Sequence, residues 1–204
     1  MRTIAYIDGF NLYYSMLRGT GARWLDLQRL VSRSFPSDAV EAVWYFTAVV
    51  HKSEDDPKRP KRQIEYIRLL EATGVRVQLG SFTRHKVWTK TVEGSPVRVV
   101  RVQEKGSDVN LATRLLIDAA SGAFEQAVIV SNDSDLQGPI LHVSQNLNLR
   151  VTVLQPVLRR AAASVSLARA ATASKLLDAR LLSQCLFPDT LAIAGTSYRK
   201  PETW

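Results

Sequence analysis

The chain has 204 residues, 46% of them hydrophobic, and a formal net charge of +8. Length and composition fit one globular domain, or one domain with an appendage, and the basic balance favours an anionic partner such as nucleic acid. The single cysteine excludes an intramolecular disulfide framework, three scattered histidines argue against zinc, and the longest apolar stretch, residues 39–50, is too short to span a bilayer. We therefore expect a soluble cytoplasmic protein with no membrane contact.

The first half of the chain predicts alternating strands and helices. A short apolar strand at residues 3–7 ends at Asp8-Gly9, and Asn11 stands where a helix would begin. A helix at 25–35, a strand at 40–50, a helix at 63–73 and a strand at 75–79 follow. The intervening charged segment, residues 51–62, is predicted to be a loop. Its basic run, residues 58–62, is a candidate phosphate contact, although a solvated loop is the default interpretation.

Residues 81–103 predict a β-hairpin or an excursion at the edge of the sheet. The segment up to residue 105 is rich in basic side chains, interleaved with Phe82, His85 and Trp88. Such a surface could hold a nucleic-acid strand by charge and ring stacking, whereas the alternative is an edge hairpin protected by cations against aggregation. The candidate substrate-binding residues here are Arg84, Lys86, Arg101 and Lys105.

The second half continues the alternation. A helix opens at residues 104–109, and the unbroken apolar run at 127–130 predicts a central strand buried on both faces. A helix at 136–146 and a strand at 150–154 follow. Beyond Pro156 the chain is alanine-rich, predicted helical over 161–182, and polar and basic over 195–204, where we expect disorder. These patterns divide the chain into a domain at residues 1–155 and a helical extension at 156–204.

Four acids fall where predicted strands end or helices begin: Asp8, Asp108, Asp133 and Asp135. The carboxyl ends of parallel strands share one edge of a sheet, and ligands bind there. Each acid alone could be a helix cap. Four together on one rim would repel one another unless a cation lay between them, and oxygen-only ligands favour Mg²⁺ or Mn²⁺. The predicted fold is a Rossmann-like α/β/α sandwich with a mainly parallel sheet, an edge hairpin and a helical C-terminal tail.

Three segments of the sequence resemble the signature blocks of NYN domains. They are Ile7-Asp8-Gly9-Phe10-Asn11-Leu12, the block from Lys105 to Ala112, and Val130-Ser131-Asn132-Asp133-Ser134-Asp135-Leu136. NYN domains are PIN-like, metal-dependent ribonucleases of a group that includes the bacterial LabA-like proteins. The order, spacing and strand contexts of the three blocks agree with that family over residues 1–155.

The resemblance implies a function and a site. It implies that Asp8, Asp108, Asp133 and Asp135 hold Mg²⁺ or Mn²⁺, and that Asn11 orients Asp8 or contacts the scissile phosphate. It gives supporting roles to Ser131 and Asn132, and it implies RNA, single-stranded or structured, as the substrate, with 5′-phosphate and 3′-hydroxyl products. The bound metal would activate a water for direct attack. Two questions stay open: whether cleavage is endonucleolytic or exonucleolytic, and whether the protein forms a homo-oligomer.

Arg114 departs from the family pattern, because many members carry a further acid at that place. The departure leaves open one metal or two, and it favours a rival interpretation: a PIN-like module that binds RNA or protein without cutting. A phosphatase with an aspartyl nucleophile is disfavoured, because Asp8 is followed by Gly9-Phe10 with no acid two residues on. A nucleotide-binding Rossmann protein is disfavoured because no complete glycine fingerprint is present.

Overall fold

The structure is a computed structural model that describes residues 1–52, 54–157 and 162–202. Its strands are β1 Arg2–Asp8, β2 Ala39–Thr47, β3 Arg76–Leu79, β4 Ser81–Lys90, β5 Pro96–Lys105, β6 Gln126–Val130, β7 Arg150–Gln155, β8 Ala173–Leu176, β9 Thr190–Ile193 and β10 Thr196–Arg199. Six of them form one parallel sheet in the order β3-β2-β1-β6-β7-β8. The central position of β1 and β6 makes them neighbours although they are far apart in sequence.

The helices connect these strands. They are α1 Gly9–Leu12, which continues into a π-helical turn at Tyr13–Leu17, α2 Leu27–Ser34, α3 Arg59–Ala72, α4 Ser107–Ala120, α5 Gln137–Leu141, which continues into a π-helical turn at His142–Asn146, α6 Val165–Ala170 and α7 Ala179–Gln184. In the described part of the chain, no helix is long and apolar enough to cross a membrane. The predicted loop at 51–62 ends earlier than expected, because Arg59 already begins α3, with Pro60 in the first turn.

The sheet has an apolar core on each face. Along β1, Ala5 and Ile7 point into one core, and Ile4 and Tyr6 point into the other. Strand β6 follows the same alternation and is buried along its whole length. Helices cover both faces, so the predicted α/β/α sandwich with a parallel sheet is confirmed.

The hairpin of β4 and β5 is confirmed as an antiparallel pair of ten-residue strands. A single residue, Gly80, separates the hairpin from β3. The hairpin nevertheless forms its own two-stranded sheet and does not extend the edge strand β3. Most of its residues are exposed. The hairpin is therefore an arm that leaves the domain at the carboxyl end of β3.

The prediction of one helix over residues 161–182 is wrong. Residues 158–161 lie outside the described part, and within the rest β8 separates α6 from α7 and adds a sixth strand to the sheet, beyond the predicted domain end at Gln155. The expectation of disorder over 195–204 is also wrong where the chain is described, because β10 pairs with β9; residues 203–204 lie outside the described part. Alanine has the highest helix propensity, but propensity is a weak guide to structure, and here pairing with β7 overrides it.

The C-terminal segment completes one of the two cores. Leu182, Cys185 and Phe187 are buried there, and the indole N–H of Trp24 donates to the carbonyl of Pro188 at 3.1 Å. The backbone N–H of Asp26 donates to the carbonyl of Cys185 at 2.7 Å. This segment therefore belongs to the packed fold of the sheet's α2 face.

Candidate active site

The carboxyl end of β1 places Asp8 at the edge of the sheet. Its side chain is 3% exposed and accepts the backbone N–H of Asn11 at 2.9 Å, which caps α1. Gly9 follows because nothing larger fits: a Cβ there would lie 2.7 Å from the carbonyl oxygen of Phe46 and 2.7 Å from the ring of Tyr45. Packing of β1 against β2 thus requires glycine after the acid.

The end of β6 is tied to Asp8 by hydrogen bonds. The hydroxyl of Ser131 donates to Oδ2 of Asp8 at 2.9 Å and accepts the backbone N–H of Asp133 at 3.0 Å. The side-chain oxygen of Asn11 accepts the backbone N–H of Asn132 at 2.9 Å. These bonds fix the turn after β6 against the turn after β1, so Ser131 and Asn11 position Asp8 and Asp133 relative to each other.

Asn132 points away from the acids. Its side chain donates to the carbonyl of Ala162 at 3.1 Å and accepts the backbone N–H of Ser164 at 2.7 Å, the residue that caps α6. Both ends of the amide are used inside the protein, so Asn132 has a structural role that the sequence did not indicate. Its role in substrate binding stays a prediction.

Four acids and their neighbours line one depression at this edge of the sheet, which we call the acidic edge. An open depression of about 370 Å³ is lined by Asp8, Asn11, Glu104, Asp108 and Asp133, together with Phe10, Tyr14, Ser15 and Phe82. Asp108 stands in the first turn of α4. Asp135 is exposed and does not line the depression, but its charge reaches Asp108. The structure thus brings together three of the four predicted acids and places the fourth next to them.

Burial and neighbouring negative charges raise the pKa of two of these acids. Burial raises the pKa of Asp8 to about 6; its hydrogen bonds from Asn11 and Ser131 oppose that rise, and the charges of Asp108 and Asp133 add to it. Burial also raises the pKa of Asp108, with contributions from Asp133, Glu104 and Asp135. Mutual repulsion of this kind is relieved when a cation binds among the carboxylates.

The donor set fits a hard divalent cation. Among the described residues, no three His, Cys, Asp or Glu side chains converge closely enough, as they stand, to hold a metal ion. The chemistry of the donors still matches Mg²⁺ or Mn²⁺, because the depression offers carboxylate and amide oxygens and no nitrogen or sulfur ligand. Asp8, Glu104, Asp108 and Asp133 line this one depression, so their carboxylates face a shared space.

Glu104 is a member of the acidic edge that sequence reasoning missed. It ends the hairpin, lines the depression, and its carboxylate accepts the backbone N–H of Ser107 at 3.1 Å at the start of α4. A Cβ on Gly80 would lie 2.5 Å from this carboxylate. The pattern Glu104-x-x-Ser107 before an apolar helix was a signal for such a contact, since acidic side chains cap helix N-termini.

The hairpin's cations lie on two opposite faces. Residues opposite each other in an antiparallel pair point to the same side. The face that starts at the depression, here called the site-side face, carries the pairs Phe82–Glu104, Arg84–Val102, Lys86–Val100, Trp88–Arg98 and Lys90–Pro96. Arg101 and Lys105 alternate onto the other face, so the predicted substrate-binding set is not one surface.

Arg114 lies away from the acids. It forms an ion pair with Asp118, one helical turn on, and its guanidinium stands 5.2 Å from the ring centre of Trp44. The hydroxyl of Tyr6 donates to the same Asp118 carboxylate at 2.9 Å. Arg114 therefore neutralises the buried acid Asp118 within one core, and neither residue lines the acidic depression.

Comparison with known proteins agrees with this architecture. The family model of the NYN domain matches residues 2–177. A solved structure of a protein of unknown function from Vibrio parahaemolyticus shares the fold, with a TM-score of 0.56 and 18% sequence identity, over 87% of this chain and 93% of that chain. The chain is also 28% identical over 236 aligned positions to 6-hydroxy-3-succinoylpyridine 3-monooxygenase HspA of Pseudomonas putida, covering all of this chain and 75% of that protein.

The matched region runs from β1 through β8 and contains every residue of the acidic edge. It extends beyond Gln155 by the α6 and β8 segment that completes the sheet. The chain belongs to the NYN domain family.

Proposed function

We propose that this protein is a metal-dependent ribonuclease whose site is the acidic edge. Its metal ligands would be Asp8, Asp108, Asp133 and Asp135. One observation supports the proposal: Asp8, Asp108 and Asp133, which come from three separate segments of the chain, line the same open depression. A protein keeps such a repulsive cluster at a cost in stability, and a bound cation offsets that cost.

The four acids would hold Mg²⁺ or Mn²⁺, and a metal held there would lower the pKa of a water molecule and stabilise negative charge on the phosphate. The chain's own residues set the geometry. Ser131 and Asn11 fix the carboxylates of the β1 and β6 ends against each other. Glu104 closes the start of α4 and so orients Asp108 in its first turn.

The site-side face of the hairpin supports RNA as the substrate. It runs outward from Phe82 and Glu104 at the depression and presents Arg84, Lys86 and the 70% exposed indole of Trp88. Ten residues of strand extend about 34 Å, enough to follow several nucleotides. Cations bind the backbone and an exposed indole stacks on bases, as in other single-strand sites.

A cleavage assay tests this proposal. Labelled single-stranded RNA is incubated with Mn²⁺ or Mg²⁺, and wild type is compared with Asp133→Asn, with EDTA, and with Asp55→Asn as an exposed control of the same charge change. We expect metal-dependent cutting that falls at least about 100-fold in Asp133→Asn, since removing even a residue behind a metal ligand costs 10- to 100-fold. Cutting that survives Asp133→Asn would refute the site, and salt-sensitive binding without cutting would favour the non-cutting RNA-binding module.

A second candidate is ring hydroxylation, which is favoured by the name of the Pseudomonas putida relative. A monooxygenase places one atom of O₂ in its substrate and reduces the other to water with two electrons from a donor. The test is consumption of O₂ and NADH with 6-hydroxy-3-succinoylpyridine. If this compound is turned over and Asp133→Asn leaves the rate unchanged, ring hydroxylation would take the place of RNA cleavage as the proposed function.

A further inference from the structure

A cavity of about 100 Å³ lies beside the acidic edge, at the carboxyl ends of β1 and β2. Its lining includes Gly9, Phe10, Tyr13 and Tyr45, together with residues from the first turn of α3. Phe10 also lines the acidic depression, so one aromatic side chain separates the two spaces.

The cavity has an excess of positive charge. Its walls include Arg23, Arg59 and Arg62 and one acid, Asp56, which forms an ion pair with Arg62. Two positive charges therefore exceed what Asp56 neutralises. The first turn of α3 contains no acidic residue, so the positive end of the helix dipole adds to the field.

One donor in this wall has no hydrogen-bond partner in the described part of the chain. Nε of Arg23 is buried and makes no hydrogen bond to any residue that the structure describes. Buried donors are nearly always satisfied, and leaving one unsatisfied is costly. An anion in the cavity would satisfy this donor after a small rotation of the Arg23 side chain, because Nε as it stands is shielded from solvent.

The size of the cavity limits the ligand. A cavity of about 150 Å³ accepts a benzene ring. At about 100 Å³ this one is smaller, so it fits a compact tetrahedral or planar anion and excludes a whole base or pyridine ring. A terminal phosphate carries roughly 1.5 to 2 negative charges and three acceptor oxygens, whereas an internal phosphodiester carries one charge. The excess charge of the cavity matches the terminal group.

We propose that this cavity binds the terminal phosphate of an RNA strand, held by Arg23, Arg59 and Arg62. The inference rests on the proposed function for its ligand, and it adds a site that reads the strand's end. With the end group in the cavity, the chain passes over Phe10 and brings a linkage close to the terminus to the acids.

The test is binding of short fluorescent RNA oligomers that are identical except for a 5′-phosphate, a 3′-phosphate or hydroxyl ends. Anisotropy is measured in EDTA, so cleavage does not enter. Arg23→Gln and Arg59→Gln are compared with Arg68→Gln, an exposed arginine on α3 that does not line the cavity. Inorganic phosphate and succinate are added separately in thermal unfolding, which reports ligand binding to the folded state and shows that each variant folds.

We expect one phosphate-bearing end to bind about 10- to 100-fold more tightly than the hydroxyl end, from one charged hydrogen-bond set. That preference should disappear in Arg23→Gln and Arg59→Gln and persist in Arg68→Gln, and phosphate should raise the Tm of wild type. Equal binding of all ends overturns the inference, as does stabilisation by succinate without any end preference, which assigns the cavity to a small carboxylic acid. End preference without cleavage in the metal assay would refute the nuclease alone, and cleavage without end preference would refute this cavity's role alone.

Discussion

Replacing Asp8 by Asn should stabilise the metal-free protein, and the size of the effect should depend on pH. The pKa of this buried carboxyl rises from 3.8 to about 6, chiefly through burial. Because the folded-state pKa lies above the unfolded value, the ionised form opposes folding. The free energy of unfolding is therefore unaffected below pH 3.8, falls as the pH rises from 3.8 to 6, and stays low above it. At 1.36 kcal/mol per pH unit, the full loss is about 3 kcal/mol.

Asn keeps the size of the side chain and can still accept the backbone N–H of Asn11, so most of this cost should be recovered at pH 8. For a chain of this length, a gain of about 3 kcal/mol raises Tm by roughly 6–12 °C. We expect urea unfolding in EDTA to show the full gain at pH 8 and about 1 kcal/mol of it at pH 4.5. Asp55→Asn, an exposed acid in the loop before α3, serves as the control at both pH values.

Added Mn²⁺ should reverse the order of the two proteins. Wild type gains stability from a ligand that binds only the folded state, and Asp8→Asn lacks one of its carboxylates. Equal stability of the two proteins at pH 8, or destabilisation by the same amount at both pH values, would refute the assignment of a repulsive, cation-binding edge to this residue.

Three further changes test other parts of the structure. Lys86→Ala, on the site-side face, should weaken RNA binding and lower the salt slope by about one, whereas Arg101→Ala on the opposite face should leave the slope within error, as measured by anisotropy over a salt series. Arg114→Met should lower the free energy of unfolding by about 3 kcal/mol in urea, because its partner carboxylate stays buried without a cation. Gly80→Ala should reduce both metal-dependent cleavage and the free energy of unfolding, because the new Cβ would lie 2.5 Å from the carboxylate of Glu104 and 2.8 Å from the backbone oxygen of Lys105; cleavage and urea unfolding measure the two effects, and unchanged cleavage would show that Glu104 has no part in the site.

Periodicity was a good guide where local pattern and tertiary packing agree. The unbroken apolar run of β6 predicts a strand buried on both faces, and Val128 and Ile129 indeed enter opposite cores. The carboxyl ends of parallel strands share one edge of a sheet, so Asp8 and Asp133 are expected at the same edge, and β1 and β6 are indeed parallel neighbours. The rule needs only strand direction, which short apolar strands between helices supply.

The sequence was a poor guide where long-range partners decide the outcome. The residues of β8 have no strand signal of their own, and they become a strand because Thr152 and Val153 of β7 present a free edge. Hairpin register could not be read from charge, so Arg84 and Arg101 seemed equivalent although they point in opposite directions. The structural role of Asn132 could not be predicted, because its partner, Ser164, comes from a segment with no motif.

The adjacency of β1 and β6 also has a consequence for synthesis. Asp8 and its hydrogen-bond donor Ser131 are 123 residues apart in sequence. At about 5–20 residues per second, a ribosome needs roughly 6–25 s to make the chain between them. During that interval Asp8 has no β6 neighbour, so the nascent chain carries an incomplete acidic edge. The edge is complete only when β6, the sixth strand to be made, pairs with β1 at the centre of the sheet.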